Sequence, residues 1–234
     1  MNYLIIVAGG GAKRMGLGYN KIFAKIGGRP LIYWTILSFE KSKTVDEIII
    51  SSAAADISKI KAICKKYGFS KVKSYVGSLA TRQESTYEVL KNIKDKTKKT
   101  DLVGVHNAAN PFVTKTEIKQ VFEAARQFGA ALLAQPARDT VKIGNKSNFV
   151  ERTPLRQFSW YAQTPQVATF ANLWKAFTKA RRQKFIGTDD AQLLERAGVK
   201  PKIVPCSNVN MKITFIEDLT VASQILKTFA KNYE

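Results

Sequence analysis

The residues best suited to chemistry lie near the start of the chain, where a glycine-rich loop is followed by two cations. Gly9, Gly10 and Gly11 carry no side chains, so their backbone N–H groups can approach and bind phosphate oxygens. Arg14 can bind two such oxygens at once, and Lys21 can act as a point charge on them. Attack on the α-phosphate of a nucleoside triphosphate builds negative charge, which two fixed cations stabilise most in the transition state. We therefore predict Arg14 and Lys21 as catalytic residues.

This loop does not match the two most familiar nucleotide-binding motifs. A P-loop requires Gly-Lys-Ser/Thr after a four-residue gap, which the segment lacks. A dinucleotide-binding loop requires a third glycine where Arg14 stands, and an acid at the end of the second strand, where Ser51-Ser52-Ala53 is found. A phosphate-binding loop of another kind is the prediction, and a tight turn is the alternative.

Alternating apolar and amphipathic segments predict the elements that position this loop. Repeated β–α–β units indicate an α/β fold with a mostly parallel, twisted sheet and helices on both faces. In such sheets ligands bind beyond the carboxyl ends of the strands. The predicted strands are 3–7, 47–51, 72–76, 102–106, 130–134 and 202–204, and the predicted helices are 31–40, 57–67, 82–93, 115–128, 170–181, 189–197 and 217–229.

The alternation of strand-like and helix-like segments is interrupted between residues 136 and 163. Gly144, Asn145 and Pro154 interrupt it, and strand-like pieces occur at 140–142 and 148–150. We predict a protruding β-arm that exchanges contacts in a dimer, with a long surface loop as the alternative. The whole chain, 1–234, is then one domain with 136–163 as a dimerisation arm.

Composition excludes several classes of protein. Hydrophobic residues make up 45% and charged residues 24% of the 234 residues, as is usual for a globular chain. No apolar run approaches the roughly 20 residues that cross a bilayer, and no signal-peptide pattern opens the chain. The two cysteines, Cys64 and Cys206, make no disulfide framework. These features predict a cytoplasmic protein.

The formal net charge of +20 raises the possibility of a nucleic-acid partner. However, the lysines are scattered along the chain, and no alternation of aromatic and basic residues suggests base stacking. A basic surface also suits anionic, phosphorylated substrates. We therefore expect no nucleic acid as the main partner.

Further motifs follow the glycine-rich loop in order along nearly the whole chain. On these segments the chain resembles the 2-C-methyl-D-erythritol 4-phosphate cytidylyltransferases, a branch of the nucleotidyltransferases with a Rossmann-like fold. The matching segments are 8–16 (Ala-Gly-Gly-Gly-Ala-Lys-Arg-Met-Gly), Asn20-Lys21, 78–85 with Arg82 and Ser85, 105–111, 136–142, Arg156, 164–166 (Thr-Pro-Gln), 188–191 (Thr-Asp-Asp-Ala) and 210–214 (Asn-Met-Lys-Ile-Thr).

The resemblance implies transfer of CMP from CTP to 2-C-methyl-D-erythritol 4-phosphate, with release of pyrophosphate, in isoprenoid synthesis. It also implies a homodimer, with Mg²⁺ on the triphosphate. Arg14 and Lys21 would stabilise the pentacoordinate α-phosphate, and the partner's Thr140 and Arg156 would bind the acceptor phosphate together with Lys212. The substrate-binding residues that the resemblance implies are Ala8, Gly9, Gly10, Gly11, Arg82, Ser85, Ala108, Thr140, Arg156, Thr164 and Lys212.

The chain departs from the family pattern near the expected metal. Asn107 stands where the family has an acid, and Asn110 where it has an arginine, so an amide pair has replaced an ion pair. An amide oxygen can still coordinate Mg²⁺, and we predict Asn107 as its protein ligand. The alternative is a slow or inactive homologue. Ser78 replaces a usual glycine, and Asn20 a usual proline.

Two other functions remain open. Ribitol-5-phosphate cytidylyltransferases share the chemistry and most motifs, but the segment 188–198 resembles the methylerythritol branch more closely. A non-catalytic nucleic-acid-binding protein would use the basic surface instead. His106, the only histidine, is predicted to be structural, because a phosphate-oxygen nucleophile requires no general base.

Overall fold

The computed structural model describes residues 1–10, 15 and 18–229. The elements run in the following order: β1 (Asn2–Val7), β2 (Lys25–Ile26), β3 (Arg29–Pro30), α1 (Leu31–Glu40), β4 (Glu47–Ser52), α2 (Ala54–Tyr67), β5 (Val72–Gly77), α3 (Arg82–Ile93), β6 (Leu102–Asn107), α4 (Lys115–Phe128), β7 (Ala130–Pro136), β8 (Ile143–Gly144), β9 (Val150–Arg152), β10 (Trp160–Thr169), α5 (Phe170–Arg182), α6 (Asp190–Arg196), β11 (Lys202–Pro205) and α7 (Asp218–Phe229).

Seven of the strands form one sheet in the order β11-β7-β10-β6-β1-β4-β5. Within this described sheet, β10 alone runs antiparallel to its neighbours, β6 and β7. The other pairings, from β5 through β1 to β6 and between β7 and β11, are parallel. The predicted α/β fold with a mostly parallel sheet is confirmed.

Side chains of the central strand alternate between the two faces of the sheet. Leu4 and Ile6 pack in one cluster with residues of α1, α2 and α4. Tyr3 and Ile5 pack in a second cluster with residues of α3, α5 and α6. Leu4, Ile5 and Ile6 each stabilise the fold by about 1.5–3 kcal/mol through full burial. Helices therefore cover both faces, as the repeated β–α–β units predict.

Local signals in the sequence account for the ends of several helices. At the starts of α3 and α4, Thr81 and Thr114 form capping boxes with Glu84 and Glu117. Gly68, with φ of 65°, ends α2 in a left-handed conformation that favours glycine. The helix α3 starts at Arg82, so its capping box fixes where that side chain leaves the backbone.

Sequence analysis does not predict β10, although this strand lies between β6 and β7 in the middle of the sheet. Trp160 to Ala162 pair with Pro136 to Ala134, so residues 160–163 belong to the sheet strand and not only to the arm. Between Ala162 and Gln166 of β10 lie three residues, whereas one residue lies between their partners on β7. This bulge places Thr164 and its neighbours next to the end of β6.

The protruding part of the chain is a short hairpin of β8 and β9. Its strands lie a few residues later than the predicted pieces 140–142 and 148–150. Nearly all side chains from 142 to 153 are exposed. A surface hairpin of this kind agrees with the predicted β-arm, and its role in a dimer stays a prediction.

Candidate active site

The carboxyl ends of β1 and β6 lie side by side where the strand order changes direction. From β1 the chain proceeds to β4 and β5 on one side, and β6 follows on the other side. The N–H of Ala8 donates to the carbonyl of Ser51 at 2.7 Å, and the N–H of Ala108 donates to that of Val7 at 3.0 Å. These bonds hold Ala8 and Ala108 at the crevice where α/β sheets bind ligands.

The backbone at Gly9 lies against the segment that follows β5. A Cβ atom at Gly9 would lie 2.5 Å from both Cβ and Oγ of Ser78, whereas at Gly10 nothing lies within 4 Å of the same position. Gly9 is therefore required by close contact between the two loops, and Gly10 leaves open space. Gly11 and Arg14, which we predicted from the same loop, lie outside the described residues.

Lys21 is held close to the glycine-rich loop by the residue before it. The Nδ2 of Asn20 donates to the carbonyl of Ala8 and to Oδ2 of Asp56, both at 2.9 Å. Its Oδ1 accepts from the N–H of Ile22 at 3.3 Å, which caps the short 3-10 helix that Lys21 begins. Asn20 thus fixes the backbone of Lys21 to the end of β1.

A cavity of about 340 Å³ lies beside the ends of β6 and β10. It brings together four of the predicted site residues, Arg82, Asn107, Thr164 and Lys212. Its lining includes the cations Arg82 and Lys212 and the carboxylate Asp189, so a ligand there meets charged and polar side chains. Its described lining consists of Arg82, Asn107, Ala162, Gln163, Thr164, Gln166, Thr188, Asp189 and Lys212. A second cavity, of about 390 Å³ between α3 and α5, contains none of the predicted site residues.

Arg82 forms a bidentate ion pair with Asp190 at the edge of this cavity. Its Nη1 and Nη2 atoms donate to the two carboxylate oxygens at 2.7 and 2.6 Å. Burial lowers the pKa of Arg82, but attraction by Asp190 outweighs it, and the pKa lies above its usual value. Asp190 itself is only 1% exposed. The pair fixes the guanidinium in the charged form.

Both the oxygen and the nitrogen of the Asn107 side-chain amide form hydrogen bonds. Its Oδ1 accepts from Nε of Arg82 at 3.2 Å, and its Nδ2 donates to Oδ1 of Asn110 at 3.3 Å. The amide pair inferred from the sequence is therefore present. The oxygen expected to bind Mg²⁺ already accepts a hydrogen bond from a cation, which does not favour Asn107 as a metal ligand.

The carboxylate of Asp189 supports the loop before α6. Its Oδ1 accepts from the N–H of Gln192 at 2.9 Å and caps the helix. Its Oδ2 accepts from Nε2 of Gln166 at 2.9 Å, while Oε1 of Gln166 accepts from the N–H of Ala191 at 2.7 Å. The carboxylate of Asp189 thus binds Gln166 and the start of α6, whereas that of Asp190 binds Arg82. No group of three or more His, Cys, Asp or Glu side chains among the described residues is arranged to hold a metal ion.

Ser85 and Thr164 have different surroundings. The hydroxyl of Ser85 is buried, accepts from the N–H of Leu79 at 2.9 Å and donates to the carbonyl of Thr81 at 2.8 Å. It therefore shapes the loop before α3 from inside. Thr164 lines the cavity, and its Oγ1 accepts from the N–H of Asn107 at 3.3 Å.

Thr140 and Arg156 lie in the exposed arm region and are not part of the described cavity lining. This agrees with the expectation that they serve a neighbouring subunit, but it does not test that expectation. The same region exposes large apolar side chains, including Phe149 at 72% and Phe158 at 73% of their area.

His106 is fully buried, and its Nε2 lies 2.8 Å from the carbonyl of Asn110, to which it donates. Burial lowers its pKa to about 3, with the nearby charge of Arg82 acting in the same direction. The imidazole ring is therefore neutral at physiological pH. Its burial agrees with the prediction that His106 is structural.

A Rossmann-like sheet, a glycine-rich segment at the end of its first strand, and a polar cavity beside the ends of β6 and β10 are the arrangement of an α/β nucleotidyltransferase. A family model described as 2-C-methyl-D-erythritol 4-phosphate cytidylyltransferase matches residues 2–228. The chain belongs to this family.

Individual relatives agree over nearly their whole length. The chain is 39% identical over 229 residues to the 2-C-methyl-D-erythritol 4-phosphate cytidylyltransferase of Bacillus cytotoxicus, covering 97% of this chain and 98% of that one. It is 37% identical over 226 residues to the enzyme of the same name from Alkaliphilus oremlandii, covering 96% and 94%.

Solved structures also match the fold. The 4-diphosphocytidyl-2C-methyl-D-erythritol synthase of Anaerococcus prevotii superposes with a TM-score of 0.85 at 31% identity, covering 97% of this chain and 96% of that chain. The Francisella tularensis 2-C-methyl-D-erythritol 4-phosphate cytidylyltransferase gives a TM-score of 0.79 at 32% identity, covering 95% and 98%. These comparisons do not favour the ribitol-phosphate or nucleic-acid alternatives. Among the described helices, none has the length and apolar character that crossing a membrane requires.

Three features of the site were missed by sequence reasoning. Arg82 was predicted, but Asp190 was noted only within the segment 188–191 and not as the partner of Arg82. Gln163 was not singled out, because β10 was not predicted to line the site. The anchoring role of Asn20 was also missed, and its signal was the side chain's capacity to cap the next turn.

Proposed function

We propose that this chain transfers CMP from CTP to 2-C-methyl-D-erythritol 4-phosphate and releases pyrophosphate, as a step of isoprenoid synthesis. The observation that carries the proposal is the family match over residues 2–228. The cavity that gathers Arg82, Thr164 and Lys212 supports it, because the ammonium group of Lys212 and the hydroxyl of Thr164 can both donate to a phosphate oxygen.

The reaction requires no nucleophilic side chain, because the acceptor supplies its own phosphate oxygen. This oxygen attacks the α-phosphorus of CTP, and the bond from that phosphorus to the oxygen bridging to the β-phosphate breaks. Pyrophosphate leaves with the bonding electron pair. Arg14 and Lys21 stabilise the charge that builds on the α-phosphate. The tie between Asn20 and Ala8 supports this role for Lys21, since it fixes the lysine backbone beside the loop.

The remaining predicted residues divide between the two substrates. The backbone of Ala8, Gly9, Gly10 and Gly11 binds the triphosphate and the cytosine side, and Ala108 borders the same crevice. The loop that Ser85 shapes, together with Arg82, holds base and ribose. Thr164 and Lys212 bind the acceptor, joined by the partner's Thr140 and Arg156. The location of Thr164 and Lys212 in one cavity supports their shared role.

We propose that Mg²⁺ reaches the site on the triphosphate of CTP. The donors in the described site do not fit a metal site of their own, because Asn107 Oδ1 accepts from Arg82 and the carboxylates of Asp189 and Asp190 have other partners. Mg²⁺ is commonly bound by substrate phosphates and few protein groups. The ion supplies charge neutralisation of the triphosphate when it is bound.

We also propose a homodimer formed through the arm. The exposed Phe149, Val150, Leu155 and Phe158 support this, because apolar side chains clustered in one protruding segment mark an interaction surface. A cytoplasmic location is proposed as well. Cys64 and Cys206 are both free, which suits a reducing compartment.

The experiment that tests the function is pyrophosphate release with Mg²⁺ and CTP, with methylerythritol 4-phosphate and ribitol 5-phosphate compared side by side. ATP, GTP and UTP serve as nucleotide controls. We expect release with CTP and methylerythritol phosphate only. Preference for ribitol 5-phosphate would retain the proposed chemistry but assign the enzyme to another pathway. Absence of pyrophosphate release with every pair of substrates would indicate an inactive homologue.

A further inference from the structure

Three hydrogen bonds in series connect Arg82 to Gln163 beside the cavity. The Nε of Arg82 donates to Oδ1 of Asn107 at 3.2 Å, and Nδ2 of Asn107 donates to Oδ1 of Asn110 at 3.3 Å. The Nδ2 of Asn110 in turn donates to Oε1 of Gln163 at 3.3 Å. We call these four side chains the amide relay.

The direction of the amide relay follows from its first member. A guanidinium can only donate hydrogen bonds, so the oxygen of Asn107 must face Arg82. The amino group of Asn107 then faces Asn110, whose oxygen accepts, and the amino group of Asn110 faces Gln163. The ion pair with Asp190 keeps Arg82 charged and in place. The orientation of every amide is therefore set by one fixed cation.

The last member of the relay lines the cavity. Its Oε1 is occupied by Asn110, which leaves the two N–H groups on Nε2 as the remaining polar atoms of the Gln163 side chain. No described residue accepts a hydrogen bond from this Nε2. Thr164 and Lys212 line the same cavity, so a ligand that fills it can contact the donor of Gln163 together with the cation of Lys212.

The position of Gln163 is fixed by its backbone as well. It follows Ala162 in the bulge of β10, where the register with β7 shifts. A bulge of this kind redirects a side chain out of the regular alternation of a strand. The Nε2 of Gln166 donates to the carbonyl of Gln163 at 3.4 Å. Asn110 is itself fully buried, and its carbonyl accepts from His106.

We infer that Gln163 is a specificity-determining residue, which donates from Nε2 to an oxygen of the phosphorylated acceptor, with Asn107 and Asn110 as positioning residues that set this polarity. The inference rests on the proposed function. Phosphate and hydroxyl oxygens accept hydrogen bonds, so a donor in the same cavity as Lys212 selects them. The two asparagines thus act on substrate recognition, and Asn107 does so without binding a metal.

Asn110→Asp tests the polarity directly. A carboxylate at this position still accepts from Asn107 but can no longer donate to Gln163. The amide of Gln163 then turns over, donates from Nε2 to the new carboxylate and presents Oε1 to the cavity. We expect the KM for methylerythritol phosphate to rise about 10-fold or more, because a donor to an anionic substrate is lost. The KM for CTP should be unchanged.

Gln163→Leu provides a second variant, because it removes the donor from a half-buried cavity wall and does not place a charge in the core. Gln163→Leu should raise the KM for methylerythritol phosphate by a factor similar to that expected for Asn110→Asp. The double variant Asn110→Asp/Gln163→Leu should be no worse than Gln163→Leu alone, since both changes remove one interaction. Asn92→Asp, an exposed change of the same charge on α3, is the matched control and should leave both KM values unchanged.

The order of the measurements separates this inference from the proposed function. The unmodified chain is assayed first with CTP and methylerythritol phosphate, and absence of turnover would overturn the function and the inference together. With an active parent, unchanged KM values in both Asn110→Asp and Gln163→Leu would overturn the inference alone. Thermal melting identifies a variant that does not fold, and Gln163→Leu then decides the question. An equal rise in the KM of both substrates would also contradict a contact with the acceptor.

Discussion

The guanidinium of Arg82 and the carboxylate of Asp190 form two hydrogen bonds across a sequence separation of 108 residues. The pair joins the start of α3 to the start of α6 at the edge of the cavity. Asp190 is almost fully buried, so loss of its partner would leave an uncompensated charge in the interior.

We therefore expect Asp190→Asn and Arg82→Gln each to lower the free energy of unfolding by about 3 kcal/mol, as measured by urea denaturation. The double variant should lose less than the sum, because one interaction is removed twice. The exposed pair of Lys119 and Glu123 is the control, and Glu123→Gln should have no measurable effect. Strict additivity at Arg82 and Asp190 would show that the pair is not coupled.

Lys21→Ala should reduce kcat by a factor of about 10² or more, and Arg14→Ala should do the same, because each removes a cation that stabilises the transition state. Steady-state pyrophosphate release measures the effect. Lys25→Ala, an exposed lysine four positions later, should retain the parent rate. Near-normal turnover in both Lys21→Ala and Arg14→Ala would refute the assigned chemistry.

Gly9→Ala should lower kcat/KM by about 10-fold or more, since the added Cβ would lie 2.5 Å from Ser78 and must displace the glycine-rich loop. Ser78→Gly removes both atoms that are too close, so the double variant should recover most of the activity. Gly77→Ala is the matched control, because that glycine has no neighbour within 4 Å and is not among the predicted site residues. Failure of Ser78→Gly to restore activity would contradict a steric cause.

His106 should make the protein less stable in mild acid. Its pKa is lowered to about 3 in the folded state, against about 6.5 in the unfolded chain. Below pH 6.5 the unfolded chain takes up a proton that the folded chain does not, so stability is full above that pH and falls towards pH 3. The loss at pH 5 should be about 2 kcal/mol relative to pH 7.5.

Urea denaturation at the two pH values measures this loss, and His106→Gln serves as the control because it keeps a donor for the carbonyl of Asn110. The carboxylates titrate in both proteins, so the difference between them isolates the only histidine. The same pH dependence in parent and variant would show that His106 is not responsible.

The arm should control the oligomeric state. Phe149→Ser and Phe158→Ser remove exposed apolar area from the arm, and we expect them to shift the chain from dimer to monomer in analytical ultracentrifugation. Activity should fall in parallel if the partner's Arg156 completes the site. Ile186→Ser changes an equally exposed residue away from the arm and should leave the dimer intact. A parent that is monomeric at assay concentration would overturn the arm-completed site.

Much of the fold could be predicted because the parallel strands β1, β4, β6 and β7 are mostly buried apolar runs that end at polar or glycine-rich segments. The helices α1, α3 and α4 were predicted with the bounds observed, since caps such as Thr81 and Gly129 mark their ends in the sequence. Ligand-binding residues could be assigned to strand ends for the same reason.

The strand β10 could not be predicted from local pattern. It contains Pro165, which argues against a central strand because proline cannot donate to the ladder. In the structure this proline lies in the bulge, where the ladder is already interrupted. The side chains of Gln163 and Gln166 reach the site only through this pairing, so contacts between distant segments, and not propensity, decide that part of the site.

The antiparallel course of β10 has a consequence for how such chains can tolerate insertions and deletions. The hairpin between β7 and β10 can change length at its tip without moving any strand of the sheet, because both of its ends pair with each other. A single-residue insertion in β10 after Gln166 would invert the faces of its remaining residues. Length variation among related chains should therefore concentrate at 145–149 and be absent from 166–169.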